Sequence, residues 1–151
     1  MADGGSGPLS LSERSVGEFL AALGERTPAP ASGAATALTA ALAAALVELA
    51  GRFAGDEEAV VRAKALWARL SELADEDAAA YTAFLADRSD ETRERIIAVP
   101  LEIAECAEEA AELAERVRGQ LRTAVVGDAE AARDLAPTAS RVARRLAEMN
   151  G

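Results

Sequence analysis

The sequence predicts a single, soluble, all-α domain, and three of its features support this prediction. The chain has 151 residues, which suits one domain. Half of the residues are apolar while only 3% are aromatic, so that alanine, the strongest helix former, supplies much of the apolar character. Apolar residues recur at helical spacing, and no segment alternates as a half-buried strand does. Helices built from alanine must approach one another closely to bury enough surface.

The first predicted helix follows a glycine-rich terminus. We assign residues 1–11 to a disordered N-terminal segment and residues 12–151 to the helical domain. Ser12 or Ser15 can cap the first helix. Residues 27–33 contain two prolines and favour extended backbone, because proline restricts φ and disfavours helix in the residue before it.

The second predicted helix, from about Ser32 to Ala54, is apolar almost all the way round. Larger residues stand among its alanines: Leu38, Leu42, Leu46, Val47 and Leu49. Such a helix is buried on most sides, and a chain of this length has few other helices to surround it. We therefore expect a homodimer. Residues 27–47 carry no charge, but their prolines and their alanine-rich composition favour a buried helix over a membrane span.

One carboxylate interrupts the apolar face of the third predicted helix, which is capped by Asp56 and ends near Asp87. The other residues of this face are Ala63, Leu66, Leu70, Leu73, Ala80, Tyr81 and Phe84. Asp77 comes seven residues after Leu70 and so returns to nearly the same angle. A carboxylate in such a place is costly unless it is paired, and its pKa can move toward neutrality, where it serves as an acid or a base. The alternative is a structural hydrogen bond, to an arginine of a neighbouring helix or to Tyr81.

Two further helices complete the prediction. Ser89 or Asp90 caps the fourth, which carries glutamates on a solvated outer face and is kinked by Pro100. Asp128 caps the fifth after a break at residues 125–127, and Pro137 lies inside it. The residues of the fifth helix that we expect to face inward are Leu135, Val142, Leu146 and Met149.

Composition limits the chemistry that the chain can perform. There is no histidine, and the single cysteine, Cys106, excludes an intrachain disulfide and a cysteine-type metal cluster. We expect no metal, and acid–base work falls to Asp, Glu, Lys, Tyr or water. The net charge of −10 disfavours nucleic acid and anionic membranes as partners. No targeting segment is recognised, so the expected location is the cytoplasm.

Two places are candidates for an anionic ligand. Arginines outnumber acids in residues 116–151, where the candidate groups are Arg122, Arg141, Arg144 and Arg145. The alternative is that these arginines balance acids on neighbouring helices. The free N–H groups at the start of the second helix, around Ser32 and Gly33, could also hold an anion. The alternative there is a plain helix start with Ser32 as its cap.

From Ser15 onward the segments resemble the cyclodeaminase/cyclohydrolase family, which includes the deaminase domain of formiminotransferase-cyclodeaminase and bacterial methenyltetrahydrofolate cyclohydrolases. The matching stretches are Ser15-Val-Gly-Glu-Phe-Leu20, Leu73-Ala-Asp-Glu-Asp-Ala-Ala-Ala-Tyr-Thr-Ala-Phe84 and Ile97-Ala-Val-Pro-Leu-Glu-Ile103. Asp128 and Asn150 fall where the family has a Ser-Asp pair and a late Asn. The chain departs from the family at Pro30-Ala-Ser-Gly-Ala34, where members have Pro-Gly-Gly-Gly-Ser. Members also continue into another long helix after the Asn.

The resemblance implies an antiparallel bundle of about five helices that dimerises through the Ala-rich helix. It implies a folate one-carbon enzyme of the methenyltetrahydrofolate cyclohydrolase or formiminotetrahydrofolate cyclodeaminase type. Asp77 matches the family's catalytic carboxylate, and the residues assigned to substrate binding are Ser32, Gly33, Tyr81, Arg122 and Asp128. No cofactor is expected, because the tetrahydrofolate derivative is the substrate and lies in a groove between subunits, with its glutamate tail drawn to the C-terminal arginines. The alternative is a divergent member that keeps the helical dimer but binds another small molecule or acts as a non-catalytic interaction module.

Overall fold

Five α-helices make up most of residues 9–122 and 125–151, the part of the chain that the computed structural model describes. The helices are α1 (Val16–Gly24), α2 (Ser32–Ala54), α3 (Glu57–Ala86), α4 (Asp90–Gln120) and α5 (Val126–Asn150), and a short 3₁₀ helix at Leu11–Glu13 precedes them. No strand occurs in these two ranges. The predicted all-α fold is confirmed. Residues 1–8 of the predicted disordered segment lie outside the described residues.

The four long helices form an antiparallel bundle. In it, α2 packs against α3 and α5, α4 packs against α3 and α5, and α2 also contacts α4 across the centre. Because short connections join consecutive helices, the start of α2, the end of α3, the start of α4 and the end of α5 meet at one end of the bundle. The connection between α4 and α5 lies at the other end. We call the first of these the Asp77 end, because Asp77 is near the end of α3.

The interior of the bundle is built largely from alanine. The expectation that large residues of α5 face inward is wrong for Leu135, Val142 and Met149, which are exposed, Met149 by 75%, while Leu146 is half-buried. The buried side of α5 consists instead of Ala129, Ala132, Ala136, Ala139, Ser140, Ala143 and Ala147. Side chains this small let α5 approach both α2 and α4 closely. Leucines on that side would hold the backbones farther apart, so the helix turns them outward.

Three predicted helix caps are confirmed: Ser15, Asp56 and Ser89, each of which accepts a hydrogen bond from an amide of its helix. Two other predicted caps are wrong. Ser32 is the first residue of α2, whose N-cap is Ala31. Asp128 lies inside the first turn of α5, which begins at Val126, so its charge acts on the helix dipole without capping the helix.

The N-terminal side of the domain begins earlier than residue 12. Leu11, which the sequence assigned to the N-terminal segment, is buried. Its amide donates a hydrogen bond to Asp75 Oδ1 of α3, with an N–O distance of 2.9 Å.

Arginines of α3 and α5 pair with the glutamates on the outer face of α4. The pairs are Arg62–Glu109, Arg69–Glu102, Arg133–Glu115 and Arg144–Glu108. Arg144 therefore balances an acid on a neighbouring helix, as the alternative for the C-terminal arginines proposed. Pairs as exposed as these contribute little to stability individually, and they account for the glutamate-rich face without a ligand.

The alanine-rich helix α2 is long and apolar enough to cross a membrane by length and composition alone, and 56% of its most apolar window is buried inside the bundle. A core helix has the same properties. Within one chain, however, α2 is not buried on all sides. Residues at helical spacing share an exposed side, which we call the α2 outer face: Leu42, Ala45, Leu49 and Phe53.

Candidate functional site

A cavity of about 400 Å³ lies at the Asp77 end of the bundle. All four long helices contribute to its wall, because their ends meet there. The lining residues that carry the arguments below are Ser32 and Gly33 of α2, Asp77 and Tyr81 of α3, Pro100 of α4 and Asn150 of α5. Its volume falls in the range of about 300–1,000 Å³ that small-molecule sites occupy.

The Asp77 carboxylate lies against the N-terminus of α2. The N-cap of this helix is Ala31, which has no side-chain oxygen to receive the free amides. Asp77 takes that role from the neighbouring helix, with the Ala34 amide as its hydrogen-bond donor. A Cβ atom at Gly33 would overlap the carboxylate. Glycine at position 33 is therefore what allows α3 to bring a carboxylate onto the end of α2.

The electrostatic environment of Asp77 differs from that of the other acids. Burial raises the pKa of Asp77, and the hydrogen bond from the Ala34 amide offsets this only in part. The other carboxyl groups with a clearly displaced pKa in the described residues have it lowered by hydrogen bonds and ion pairs, and they are Glu18, Glu48, Asp56, Glu108 and Glu130. No arginine or lysine forms an ion pair with Asp77 within residues 9–122 and 125–151. In these ranges the structural alternative therefore takes the form of the hydrogen bond from the Ala34 amide and not of an arginine partner.

An anion is not favoured at the start of α2. The helix dipole there is already neutralised by the carboxylate of Asp77, and no basic residue is among the described residues that line the cavity. A second negative group beside Ser32 and Gly33 would be repelled by Asp77. Of the two interpretations of this helix start, these charges therefore favour a plain start over an anion site, and the cavity suits a neutral or a cationic group.

Tyr81 lies one turn after Asp77 on the same side of α3 and lines the same cavity. Its side chain is 38% exposed. It forms no hydrogen bond with Asp77 in the part of the chain that is described, so that the predicted pairing of the two side chains is absent. The tyrosine hydroxyl is placed where it can meet a ligand.

Arg122 and Asp128 do not line this cavity. Both flank the connection between α4 and α5, at the opposite end of the bundle. The 23 residues of α2, at about 1.5 Å per residue, separate the two ends by roughly 35 Å. One chain therefore brings together Ser32, Gly33, Asp77 and Tyr81 and leaves the other two predicted site residues apart.

Asn150 also reaches the cavity, although the sequence did not assign it to the site. Its Nδ2 donates a hydrogen bond to the Ile96 carbonyl oxygen of α4, with an N–O distance of 2.7 Å. A proline four residues after Ile96 is the sequence signal that a carbonyl there needs a partner from elsewhere. The sequence alone does not show that this partner is the last residue of α5.

A second cavity, of about 530 Å³, lies between α1, α2 and α3. Its wall is mostly apolar, and Arg14 is the charged group among its described lining residues. It contains no carboxyl group, so it offers less for acid–base chemistry than the Asp77 cavity does. The thiol of Cys106 lines neither cavity, and burial raises its pKa, which keeps it in the unreactive protonated form.

Comparison with protein-family models matches the chain to the formiminotransferase-cyclodeaminase model over residues 15–151. Comparison with individual curated proteins gives no significant match. The family match covers nearly the whole chain, including α1 to α5 and the described lining of the Asp77 cavity. The chain therefore belongs to the formiminotransferase-cyclodeaminase family, which points to folate one-carbon metabolism.

Proposed function

We propose that the protein opens or closes the one-carbon bridge of a tetrahydrofolate derivative, as a cyclohydrolase or a cyclodeaminase, with Asp77 as the acid/base. Family membership supports the substrate class. The observation that carries the assignment to Asp77 is its position: a carboxyl group in a cavity, with its pKa raised by burial and with no basic residue among the described lining residues. A carboxyl group in a cavity with its pKa raised by burial is a candidate acid or base.

The charge of the substrate fits this site. In methenyltetrahydrofolate the bridging carbon lies between two nitrogens and carries their shared positive charge. Asp77 faces the cavity without a counter-cation, so its ionised carboxylate attracts such a group. The same carboxylate disfavours an anionic group at the start of α2, where many helices bind phosphate.

Asp77 can serve both halves of the reaction. In hydrolysis, the oxygen of a water molecule bonds to the bridging carbon while Asp77 accepts the proton of that water. The carbon–nitrogen bond then breaks, and the protonated carboxyl returns the proton to the leaving nitrogen. In deamination the second nitrogen of the folate attacks the carbon of the protonated formimino group and gives its proton to Asp77. The bond from that carbon to the formimino nitrogen then breaks while Asp77 returns the proton to this nitrogen, which leaves as ammonia.

A homodimer is part of this proposal. The α2 outer face exposes Leu42 by 64% and Phe53 by 61%, and contiguous exposed apolar residues of this size mark protein interfaces. If two copies pair through this face with their α2 helices antiparallel, the α4–α5 connection of one copy lies at the Asp77 end of the other. Arg122 and Asp128 of the partner subunit would then border the cavity that they cannot reach within one chain.

The competing function is a scaffold without folate chemistry, which binds another small molecule or serves as an interaction module. The α2 outer face favours it, because such a face can serve any partner. Position 31 favours it too, because alanine stands there beside the cavity where the resemblance leads us to expect glycine. The presence of Asp77 favours the enzyme.

The test is turnover of methenyltetrahydrofolate, followed by the loss of its absorbance. Asp77→Asn keeps an acceptor for the Ala34 amide but cannot take up a proton, so we expect kcat to fall by about 10²- to 10⁴-fold. Asp75→Asn is the matched control, because Asp75 lies two residues away on α3 and bonds to the Leu11 amide outside the cavity. Equal turnover by wild type and Asp77→Asn would refute the assigned role.

A further inference from the structure

The α4 helix has a gap in its backbone hydrogen bonding beside the Asp77 cavity. Pro100 lies inside α4. Proline has no amide hydrogen, so the carbonyl of Ile96, four residues earlier, receives no helical hydrogen bond from it. Pro100 and Ile96 both line the cavity. The unfilled carbonyl therefore lies at the site itself.

The carboxamide of Asn150 fills this gap. Its Nδ2 donates to the Ile96 oxygen at 2.7 Å, a normal hydrogen-bond length, across 54 residues of sequence. Asn150 is the last residue of α5. The bond therefore joins the end of α5 to α4 at the turn of α4 where Pro100 lacks an amide hydrogen.

The last six residues of α5, which follow the Arg144–Glu108 ion pair, extend over the cavity. Leu146 and Met149 form the α5 part of the cavity wall, and Met149 is 75% exposed. Only small residues, among them Ala143 and Ala147, are buried under this stretch. Among the described residues that follow Arg144 on α5, Asn150 supplies the side-chain hydrogen bond to another helix, so this bond fixes the direction in which the end of α5 lies.

We propose that Asn150 is a positioning residue of the Asp77 cavity: by replacing the amide hydrogen that Pro100 lacks, it holds the α5 wall over the Asp77 carboxyl. The inference rests on the proposed role of Asp77 as acid/base, because the wall limits the access of bulk solvent to that carboxyl. Removal of the Asn150 carboxamide lets the end of α5 separate from α4 and admits solvent. Asp77 then behaves as an ordinary exposed aspartate.

Few ionisable groups line the cavity around Asp77, so a change in solvent access can be measured as a change in the pKa of Asp77. Tyr81 of α3 is the other titratable residue among the described residues that line the cavity. The linings from α2 and α4 are uncharged, being Ser32, Gly33, Ile96 and Pro100, and the lining from α5 is Leu146, Met149 and Asn150. A replacement at position 150 by a neutral residue therefore changes solvent access to Asp77 without changing the charges around it.

The experiment is an NMR titration of the Asp77 carboxyl carbon in the ligand-free protein. In Asn150→Ala we expect the Asp77 pKa to fall by roughly half a pH unit or more, toward its ordinary value. Asn150→Gln retains the carboxamide and is expected to restore at least half of this change. Thr138→Ala, which removes an exposed hydroxyl elsewhere on α5, is the control and leaves the Asp77 pKa unchanged.

Each outcome decides the proposal. A folded Asn150→Ala with the wild-type Asp77 pKa overturns it, and a fall in the pKa that Thr138→Ala reproduces overturns it as well. If the alanine variant does not fold, Asn150→Leu provides the same comparison, because leucine keeps the side-chain volume but cannot donate a hydrogen bond. The titration needs no folate, so a protein that binds none would refute the proposed function while the role of Asn150 is still decided.

Discussion

Gly33 and Asp77 form the contact on which the candidate site depends. The carboxylate replaces the missing side-chain cap of α2, and the absence of a Cβ at position 33 gives it room. Burial raises the pKa of Asp77 for the same reason that the site exists, because the close approach of α2 and α3 excludes water. The burial that makes Asp77 a useful acid/base therefore also destabilises its ionised form.

Gly33→Ala tests this contact, because the contact determines whether the substitution raises or lowers the free energy of unfolding. Alanine inside a helix is ordinarily more stable than glycine by about 0.5–1 kcal/mol. At position 33 the added Cβ must displace the Asp77 carboxylate, so we expect a loss of about 1–3 kcal/mol in the free energy of unfolding, measured with urea.

Gly17→Ala is the control, because a Cβ at Gly17 meets nothing within 4 Å, and we expect this variant to be at least as stable as wild type. Asp77→Ala should relieve much of the cost of Gly33→Ala in the double variant. A stabilising Gly33→Ala would contradict the close approach of α2 and α3.

The raised pKa of Asp77 predicts how stability depends on pH. The folded protein holds the Asp77 proton more tightly than the unfolded chain, whose carboxyl has the ordinary pKa of 3.8. The free energy of unfolding therefore decreases as the pH rises from about that value through the higher pKa of the folded state.

Asp77→Asn lacks this decrease. We expect it to be more stable than wild type in urea denaturation at pH 8, with the advantage shrinking as the pH approaches 4. Subtraction of the two curves removes the contribution of the other carboxylates. An advantage that does not change with pH would show that burial does not raise the pKa of Asp77.

Asp77, Gly33 and Asn150 show how far the position and the contacts of a single residue can be predicted from the sequence. Helical periodicity alone predicts that Asp77 lies on the inward face of α3, and in the structure Asp77 is one of the residues that line the cavity. The dependence of Asp77 on Gly33 is not visible in the sequence, because it arises from the distance between two helices. The partner of Asn150 is hidden for the same reason, although Pro100 marks the place where one is needed.

The helices themselves show a second limit of sequence reasoning. On α5 both the alanines and the large apolar residues repeat at helical spacing, so periodicity predicts a helix without deciding which stripe is buried. The prediction chose Leu135, Val142, Leu146 and Met149, of which Leu146 is half-buried and the other three are exposed, whereas the alanines are buried. Close packing of α5 against α2 and α4 determines that the alanine stripe is the buried one. This packing involves helices that are distant in sequence, so the sequence of α5 alone does not predict it.

On α2, too, most of the alanines are buried while several larger residues are exposed. These exposed residues lead to a prediction about dimer formation. Leu42 lies near the middle of α2, at the N-terminal end of the α2 outer face, and burying a carboxylate there without a partner is costly. If this face joins two copies, Leu42→Glu should raise the dimer dissociation constant by at least about 100-fold, measured by analytical ultracentrifugation.

Val61→Glu is the matched control, because Val61 is 68% exposed on α3 and lies outside the α2 outer face, and it should dimerise as wild type does. A monomeric wild type at tens of micromolar, or a Leu42→Glu variant that still dimerises, would remove the assembly from the proposal.

At the scale of the whole molecule, the bundle has two ends with different character. The Asp77 end holds a cavity without basic lining residues, as far as the described residues show. The opposite end holds Arg122 and Asp128 beside the α4–α5 connection. The fold class and the helices were predictable because periodicity and capping are local properties. The separation of the predicted site residues between the two ends was not predictable, because it depends on how the helices pack against one another.

The central claim is that the Asp77 cavity binds a tetrahydrofolate derivative, and calorimetry with 5-formyltetrahydrofolate tests it most directly. This compound is a stable analogue of the one-carbon-loaded folates. We predict saturable binding to wild type and to Asp75→Asn, and binding at least about tenfold weaker to Asp77→Ala, which corresponds to about 1.4 kcal/mol. Absence of binding to wild type at millimolar ligand, or equal binding to Asp77→Ala, would contradict the claim.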